Sequence, residues 1–277
     1  PSVAAVRFPG GATATYPDPS LRSDYSDARY RTLYGNFTFT QNWSVPGNNS
    51  WDRPWVIPSG TSVTGKKFTG TQGSFYRILQ INAGGSAHFT EMEMGWNRGD
   101  FECKGTLVID GLYVHLVSQA ANNTGISHIG RPGSTGTLYA NKIEKRYYSY
   151  LCNYITTLVV GSGGIRLTES SYHPLTFYAN TTIRAADDFG ILSDFAGDGT
   201  DFHGLSLSNR TITVNTEDES GVGHTVTFGT SVSADGGVLR KIGAGTLVMQ
   251  DGDLVSKTNF VKRYTGGTVV EAGTLLV

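Results

Sequence analysis

Short segments that alternate apolar with polar residues, each bounded by Gly, Asn or Asp, recur along most of the chain. The clearest of them lie at 36–40, 106–111, 113–117, 136–140, 175–178, 204–208, 211–214 and 225–228. Alternation with a period of two is typical of strands that bury one side. Between these segments no stretch shows the 3.6-residue periodicity of an amphipathic helix. The pattern therefore predicts an all-β protein.

The segment 55–64 indicates how the strands are connected. Residues 55–57 predict one strand, the Pro-Ser-Gly sequence at 58–60 a tight corner, and residues 61–64 a second strand. Short strands joined in this way fit either an antiparallel sandwich or a solenoid. Periodicity over a longer range has to decide between the two.

A repeated phrase decides in favour of the solenoid. Ala-Gly-Thr-Leu occurs at 244–247 and again at 272–275, and each copy stands directly before an apolar strand. The offset of 28 residues is typical of a solenoid coil and too long for a hairpin. In a solenoid each coil packs only on its neighbours, so all 277 residues can form one continuous domain.

The C-terminal segment resembles the passenger-associated transport repeat, also called the autotransporter-associated β-strand repeat, of secreted bacterial proteins. The family pattern is Leu-x-Lys-x-Gly-x-Gly-Thr-Leu, a variable loop, and Tyr-x-Gly-Gly-Thr-x-Val-x-x-Gly-Thr-Leu. It matches Leu239, Lys241, Gly243, Gly245, Thr246, Leu247, Tyr264, Gly266, Gly267, Thr268, Val270, Gly273, Thr274 and Leu275. A weaker likeness to the Gly-rich coils of such passengers lies at 129–138.

The resemblance implies a right-handed parallel β-helix that is exported beyond the outer membrane, with the repeat stabilising the passenger during or after secretion. The residues agree with that fold in two respects. Corners with positive φ are expected from Gly243, Gly245, Gly266, Gly267 and Gly273. Side chains expected to point into a common interior are Leu239, Leu247, Val270 and Leu275.

The chain divides into three predicted segments. Residues 1–50 are irregular and rich in aromatic residues and Pro, and we expect them to form an N-terminal cap or docking segment that covers unpaired strand edges. Residues 51–236 are expected to form the solenoid coils. Residues 237–277 are expected to continue the solenoid as the passenger-associated repeat.

Charge and hydropathy narrow the possible partners. Lys and Arg number 22 against 23 Asp and Glu, so no basic surface is expected and nucleic acid is not a predicted partner. No apolar run approaches the roughly 20 residues that a membrane-spanning helix requires. The chain opens at Pro1 with neither an initiator Met nor a signal peptide, so we expect a mature or trimmed piece of a precursor.

Cys103 and Cys152 are too few for a disulfide scaffold and do not have zinc-site spacing. With coils of about 24 residues they lie two coils apart, or about 9.6 Å at the usual strand spacing of roughly 4.8 Å. That separation exceeds the roughly 7 Å between Cα atoms that a disulfide tolerates. Two reduced, buried thiols are therefore favoured, with a bridge as the alternative if an insertion lengthens one coil.

No catalytic, cofactor-binding or metal-binding residue is predicted, and no cofactor. The six His residues show none of the usual metal-site spacings, and His115 is interpreted as a strand residue half-buried against a neighbouring coil. Five acidic residues are candidates for a polysaccharide-processing site, but their Gly-rich setting favours Asx turns: Asp187, Asp188, Asp194, Asp198 and Asp201. Calcium binding by the last three is a further alternative, although their spacing is not that of an EF-hand.

The tyrosine-rich run 146–154 has two interpretations. It could display rings that stack on sugars, or form an aromatic ladder in which rings on successive coils stack. The ladder is favoured.

These observations predict a non-enzymatic structural or adhesive protein at the cell surface of a bacterium with an outer membrane. End-to-end self-association into a filament and contacts with surface or matrix glycans are the expected partners. The alternatives are a carbohydrate-binding module and a polysaccharide-processing β-helix enzyme, in that order.

Overall fold

The computed structural model describes residues 13–16, 32–33, 35–40, 42–46, 54–71, 77–94, 100–115, 126–146, 150–167, 174–193, 204–234, 236–250 and 262–277. All regular secondary structure in these residues is β-strand, which confirms the all-β prediction. The strands are β1 (Thr13–Tyr16), β2 (Asn36–Phe39), β3 (Trp43–Pro46), β4 (Trp55–Ile57), β5 (Ser62–Thr71), β6 (Arg77–Ile81), β7 (Ser86–Met94), β8 (Asp100–Cys103), β9 (Thr106–His115), β10 (Ile126–Ile129), β11 (Thr137–Arg146), β12 (Tyr150–Asn153), β13 (Thr157–Leu167), β14 (Leu175–Phe177), β15 (Thr181–Ala185), β16 (Phe189–Ser193), β17 (Gly204–Ser206), β18 (Thr211–Asn215), β19 (Thr225–Gly229), β20 (Ser231–Ala234), β21 (Val238–Ile242), β22 (Thr246–Met249), β23 (Lys262–Tyr264), β24 (Thr268–Val270) and β25 (Thr274–Leu276).

The strands stack along three faces of one coiled wall. The first and second faces belong to a 16-stranded sheet, whose order along the first face is β1-β2-β5-β7-β9-β11-β13-β15-β18-β21-β24. The long strands from β5 to β13 run through the bend between these faces, whereas later coils use separate strands there, such as β15 and β16. The third face consists of β4-β6-β8 and then β10-β12-β14-β17-β20-β23.

Every ladder between the described strands is parallel. A hairpin-connected sandwich would pair its strands antiparallel. The chain is therefore a parallel β-helix, as the repeat predicted. The two Ala-Gly-Thr-Leu phrases lie on adjacent coils in register, since Thr246 pairs with Thr274 and Leu247 with Leu275.

Columns of apolar side chains, one from each coil, fill the interior. One column along the second face consists of Phe68, Met92, Leu112, Ile143, Ile165, Ile191, Phe228 and Met249. None of these side chains is more than 4 % exposed. The core therefore extends from the coil of Phe68 to that of Met249. Burial of each of these side chains contributes about 1.5–3 kcal/mol to the stability of the fold.

The coils differ in length although the wall keeps its register. Thr106 pairs with Thr137 and Thr137 with Thr157, which makes one coil 31 residues long and the next 20. Only the strands and the corners have to superpose from coil to coil, so residues between them can be added or removed.

The corner glycines were predicted correctly at three of five positions. Gly243, Gly267 and Gly273 have φ values of 81°, 80° and 70°. The prediction was wrong for Gly245 and Gly266, which do not have a positive φ. These two are glycine because a Cβ atom there would overlap a backbone carbonyl oxygen of the preceding coil.

The predicted interior residues of the C-terminal repeat are confirmed with one exception. Leu239 and Leu247 are fully buried and Leu275 packs against the core. Val270 shares the inward register position of the buried Val214 and Lys241, but it is 45 % exposed because no described strand packs over it.

Three strands lie in the segment predicted as a cap. β1 pairs with β2 and β2 with β5, while β3 also pairs with β5, all in parallel. The boundaries 1–50, 51–236 and 237–277 remain a prediction, and the described strands of the first segment extend the same sheet.

Candidate functional site

A groove with a volume of about 290 Å³ lies on the outer surface at the bend between the first and second faces. It crosses the coils of β9, β11 and β13 and reaches the turn that follows β15. One side is polar and the other is formed by an aromatic and an aliphatic side chain; the residues are Asp110, Asn141, Ser162 and Asp187, with Tyr139 and Val159 opposite. We call it the corner groove.

The polar side contains residues at the bend of successive coils. The ladder between β9 and β11 pairs the neighbours of Asp110 with the neighbours of Asn141, which places these two exposed side chains side by side. In the next coil Gly161, Ser162 and Gly163 replace the single residue Asn141. A Cβ atom at either glycine would collide with Asn141, so only glycines allow Ser162 to lie at this position.

Tyr139 forms the opposite side. It lies between Leu138 and Ala140, which are buried, so its side chain points outward. Its hydroxyl donates a hydrogen bond of 2.8 Å to Oε1 of Glu219, 80 residues further along the chain. Arg184 Nη1 lies 3.4 Å from the same oxygen. The hydrogen bond to Glu219 raises the pKa of Tyr139, with burial acting in the same direction, so the phenol stays neutral and its ring is held in place.

Glu219 belongs to an excursion at 216–224, which we call the latch loop. Within it, Asp218 Oδ1 accepts hydrogen bonds from the amides of Ser220 (2.8 Å) and Val222 (2.9 Å). Asp218 Oδ2 lies 3.4 Å from Nε2 of His224. The hydrogen bond from Val222, together with those from Ser220 and His224, lowers the pKa of Asp218, against partial burial that raises it.

Contacts with neighbouring coils hold the latch loop against the wall. His224 Nδ1 lies 3.6 Å from Oδ1 of Asp188, and the same oxygen accepts a 2.7 Å hydrogen bond from the Thr225 amide. On the other side Glu217 Oε2 accepts a 3.0 Å hydrogen bond from the Ala244 amide. The loop is thus bound to the coil before it and the coil after it.

The electrostatic character of the corner groove is acidic. Asp110 and Asp187 line it, and Asp188 follows directly in the chain. Arg184 is already paired with Glu219, whose charge offsets its own, and Lys142, next to Asn141 in the chain, is paired with Glu144. The groove is therefore suited to neutral or cationic groups rather than to anions.

The candidate carboxylates of the sequence are only partly brought together. Asp187 lines the corner groove and Asp188 binds the latch loop, both exposed at the turn after β15. Asp194, Asp198 and Asp201 lie outside the described residues. His115 lies on β9 as predicted, but its side chain is outside the described part. Among described residues no three His, Cys, Asp or Glu side chains are grouped to hold a metal ion.

Part of the tyrosine-rich run forms the predicted ladder. The rings of Tyr154 and Tyr178 stack with centroids 5.4 Å apart and an interplanar angle of 18°. His128 meets Tyr154 edge-on at 5.4 Å. These rings come from three successive coils of the third face, so the ladder interpretation is confirmed for Tyr154, while 147–149 lie outside the described residues.

Neither cysteine forms a disulfide and both are buried, as predicted. Cys103 lies on β8 and Cys152 on β12, with β10 of the intervening coil between them. Burial raises the pKa of the Cys103 thiol to about 12, against a backbone hydrogen bond with Gly105 that lowers it. A thiol with this pKa stays protonated and is a poor nucleophile.

Sequence reasoning missed Tyr139, Asn141 and Glu219 as parts of one site. The available signal was a polar residue inside an apolar strand pattern: Asp110 before Gly111, and Asn141 after Ala140. Such a residue marks the bend of a long strand, but it does not show which distant loop packs over it.

The class of protein defined by this geometry is a parallel β-helix with an acidic groove along one bend. No protein-family model, curated protein or solved structure matches the chain. None of the described residues forms a helix long and apolar enough to cross a membrane.

Proposed function

We propose that this chain is a non-enzymatic structural or adhesive segment of an extracellular β-solenoid protein. The observation that carries the proposal is the parallel stack itself, which extends from β1 to β25 around one continuous core. Stacked backbone ladders supply length and mechanical resistance, which a fibre, a stalk or a surface layer needs. The fold alone does not define a chemistry, so the proposal needs no catalytic group.

The C-terminal repeat supports a passenger-type protein at the surface of a bacterium with an outer membrane. Lys241, a residue of the repeat, is fully buried, and its amine donates hydrogen bonds to the carbonyls of Gly243 (2.7 Å) and Ala272 (2.8 Å). The second bond joins two coils. A repeat that fastens its two coils together suits a chain that has to fold after export.

Surface exposure and binding test this proposal directly. Antibodies against the purified chain should label intact cells, and protease added to intact cells should remove the label. Beads coated with the purified chain should adhere to surfaces or matrix, and acidic and neutral polysaccharides should stay undegraded. Labelling that requires lysed cells, or depolymerisation of any polysaccharide, would contradict the proposal.

End-to-end association is proposed as the mode of assembly. The coil of β24 and β25 exposes Val269 and Val270 at 45 % each and Leu276 at 52 %, and no described strand pairs with its outer edge. A second copy could add its own coil there by strand pairing. Sedimentation should show concentration-dependent oligomers that the double variant Val270→Lys/Leu276→Lys loses. The control Leu192→Lys, on the side of the wall, should retain them, and a monomer at all concentrations would exclude the assembly.

A further inference from the structure

The corner groove has the two-sided chemistry that a sugar ring requires. Tyr139 supplies an aromatic face fixed by Glu219, and Val108 flanks it in the same outward column. The C–H face of a pyranose packs on such a surface. Opposite, Asn141 and Ser162 supply amide and hydroxyl groups for the hydroxyls of the sugar. Few convergent polar groups beside an apolar wall are typical of small-ligand sites.

The charges around the groove select among sugars. Two carboxylates, Asp110 and Asp187, line it, and none of the residues that the structure places along it is Lys or Arg. His88 Nε2 lies 3.5 Å from Asp110 at the edge, and Arg184 is held by Glu219. A uronic acid or a sulfated sugar would meet repulsion here. An ammonium group would gain a charge-assisted hydrogen bond.

We propose that the corner groove binds saccharides with a free amine, of the glucosamine type. The ring lies on Tyr139, the hydroxyls bond to Asn141 and Ser162, and the ammonium binds Asp110 or Asp187. The inference deepens the proposed adhesive function by naming a ligand class, and it rests on that function only for its biological setting.

Binding of defined oligosaccharides to the purified chain tests the inference. A glucosamine tetramer should bind in isothermal titration, and it should shift the amide NMR signals of Asn141 and Ser162. The N-acetylglucosamine tetramer should bind at least tenfold more weakly, and a galacturonic acid tetramer should not bind. Tetralysine, which has the charge without the ring, should also bind at least tenfold more weakly.

Three variants assign the contacts. Asp187→Asn, at an exposed turn, should weaken binding of the glucosamine tetramer about tenfold, which corresponds to about 1.4 kcal/mol. Asp110→Asn should act similarly. Tyr139→Leu should weaken both glucosamine and N-acetylglucosamine tetramers, because it removes the stacking face. The control Glu271→Gln changes an exposed carboxylate on the last coil and should leave binding unchanged.

Equal binding of the acetylated and free-amine tetramers would overturn the proposal, as would equal binding of tetralysine or an unchanged affinity in Asp187→Asn. Absence of any binding would also overturn it. These solution measurements are separate from cell-surface labelling, so the adhesive function and the amino-sugar site can fail independently.

Discussion

Lys145 places an amine inside the apolar interior. It stands between Val114 and Leu167 in the register and is fully buried. Burial lowers the pKa of Lys145 from 10.5 to about 7, against the nearby Cys152, which raises it. Lys241 is also buried, its pKa is also lowered by burial, and its amine donates hydrogen bonds to three backbone carbonyls. At Lys145 the lowered pKa means that burial of the charged amine opposes folding.

The substitution Lys145→Met is expected to stabilise the protein at neutral pH. Between the folded pKa of about 7 and the ordinary 10.5, the unfolded chain binds one proton more than the folded protein, so stability rises with pH over this interval. Met does not titrate, so the variant loses this pH dependence of the free energy of unfolding. It also loses the cost of burying the Lys145 amine, which is on the order of 4 kcal/mol at pH 7. Urea unfolding at several pH values measures the effect.

The exposed Lys66 offers the matched control, since Lys66→Met should change the free energy of unfolding by less than about 0.5 kcal/mol and leave its pH dependence intact. A Lys145→Met variant that is less stable than the parent at pH 7, with an unchanged pH slope, would contradict the account.

At the scale of elements, the latch loop differs from the other bends because it carries its own polar network. Asp218 closes it internally, while Asp188 and Glu217 join it to the wall. Its Glu219 reaches Tyr139, three coils back along the first face, and so shapes the corner groove from outside. A loop held mainly by hydrogen bonds to carboxylates should respond to acid before the apolar core does.

Acidification is expected to loosen the latch loop through Asp218. Its folded pKa is lowered from 3.8, so the stabilisation is fully present above the ordinary value and is lost as the pH falls through the lower folded value. The amide proton signals of Ser220 and Val222 should therefore titrate together with a midpoint below 3.8. The variant Asp218→Asn should abolish this titration, whereas Asp187→Asn should preserve it. Independent midpoints for the two amides would argue against a shared carboxylate.

At the scale of the whole molecule, each coil is supported by the coils on either side. Glycines at the corners allow adjacent coils to approach closely. A Cβ atom at Gly136 would overlap the carbonyl oxygen of Gly105, and a Cβ atom at Gly273 would overlap the carbonyl oxygen of Gly245. Stability in such a stack is approximately a sum of coil and interface terms, so damage should remain local to the affected interface.

Two alanine substitutions are expected to show this locality in hydrogen exchange. Gly136→Ala should reduce amide protection in the coils around 106–157, and Gly273→Ala only near 238–277, each with a cost of about 3 kcal/mol. The control Gly60→Ala meets no atom within 4 Å, and its φ of 74° should cost about 1 kcal/mol. Uniform loss of protection along the chain in both variants would indicate one cooperative unit instead.

The sequence by itself determined the strands, the parallel stacking and the neutral character of this protein. Alternation along 36–39 reports burial of one strand side, which is a local property. The repeated Ala-Gly-Thr-Leu phrases reported the coil length, because equivalent residues of a solenoid must superpose. The separation of Cys103 and Cys152 by two coils was predicted from an assumed coil length of about 24 residues.

Only the tertiary structure determined which side chains become neighbours on coils of unequal length. The approach of Glu219 to Tyr139, the juxtaposition of Asp110 with Asn141, and the burial of Lys145 all depend on how many residues each coil takes between its strands. Coil length varies from 20 to 31 residues between Thr106 and Thr157, so no fixed spacing in the sequence marks these neighbours. The stacking of the coils sets the register of the strands, and this register brings the residues of the corner groove together.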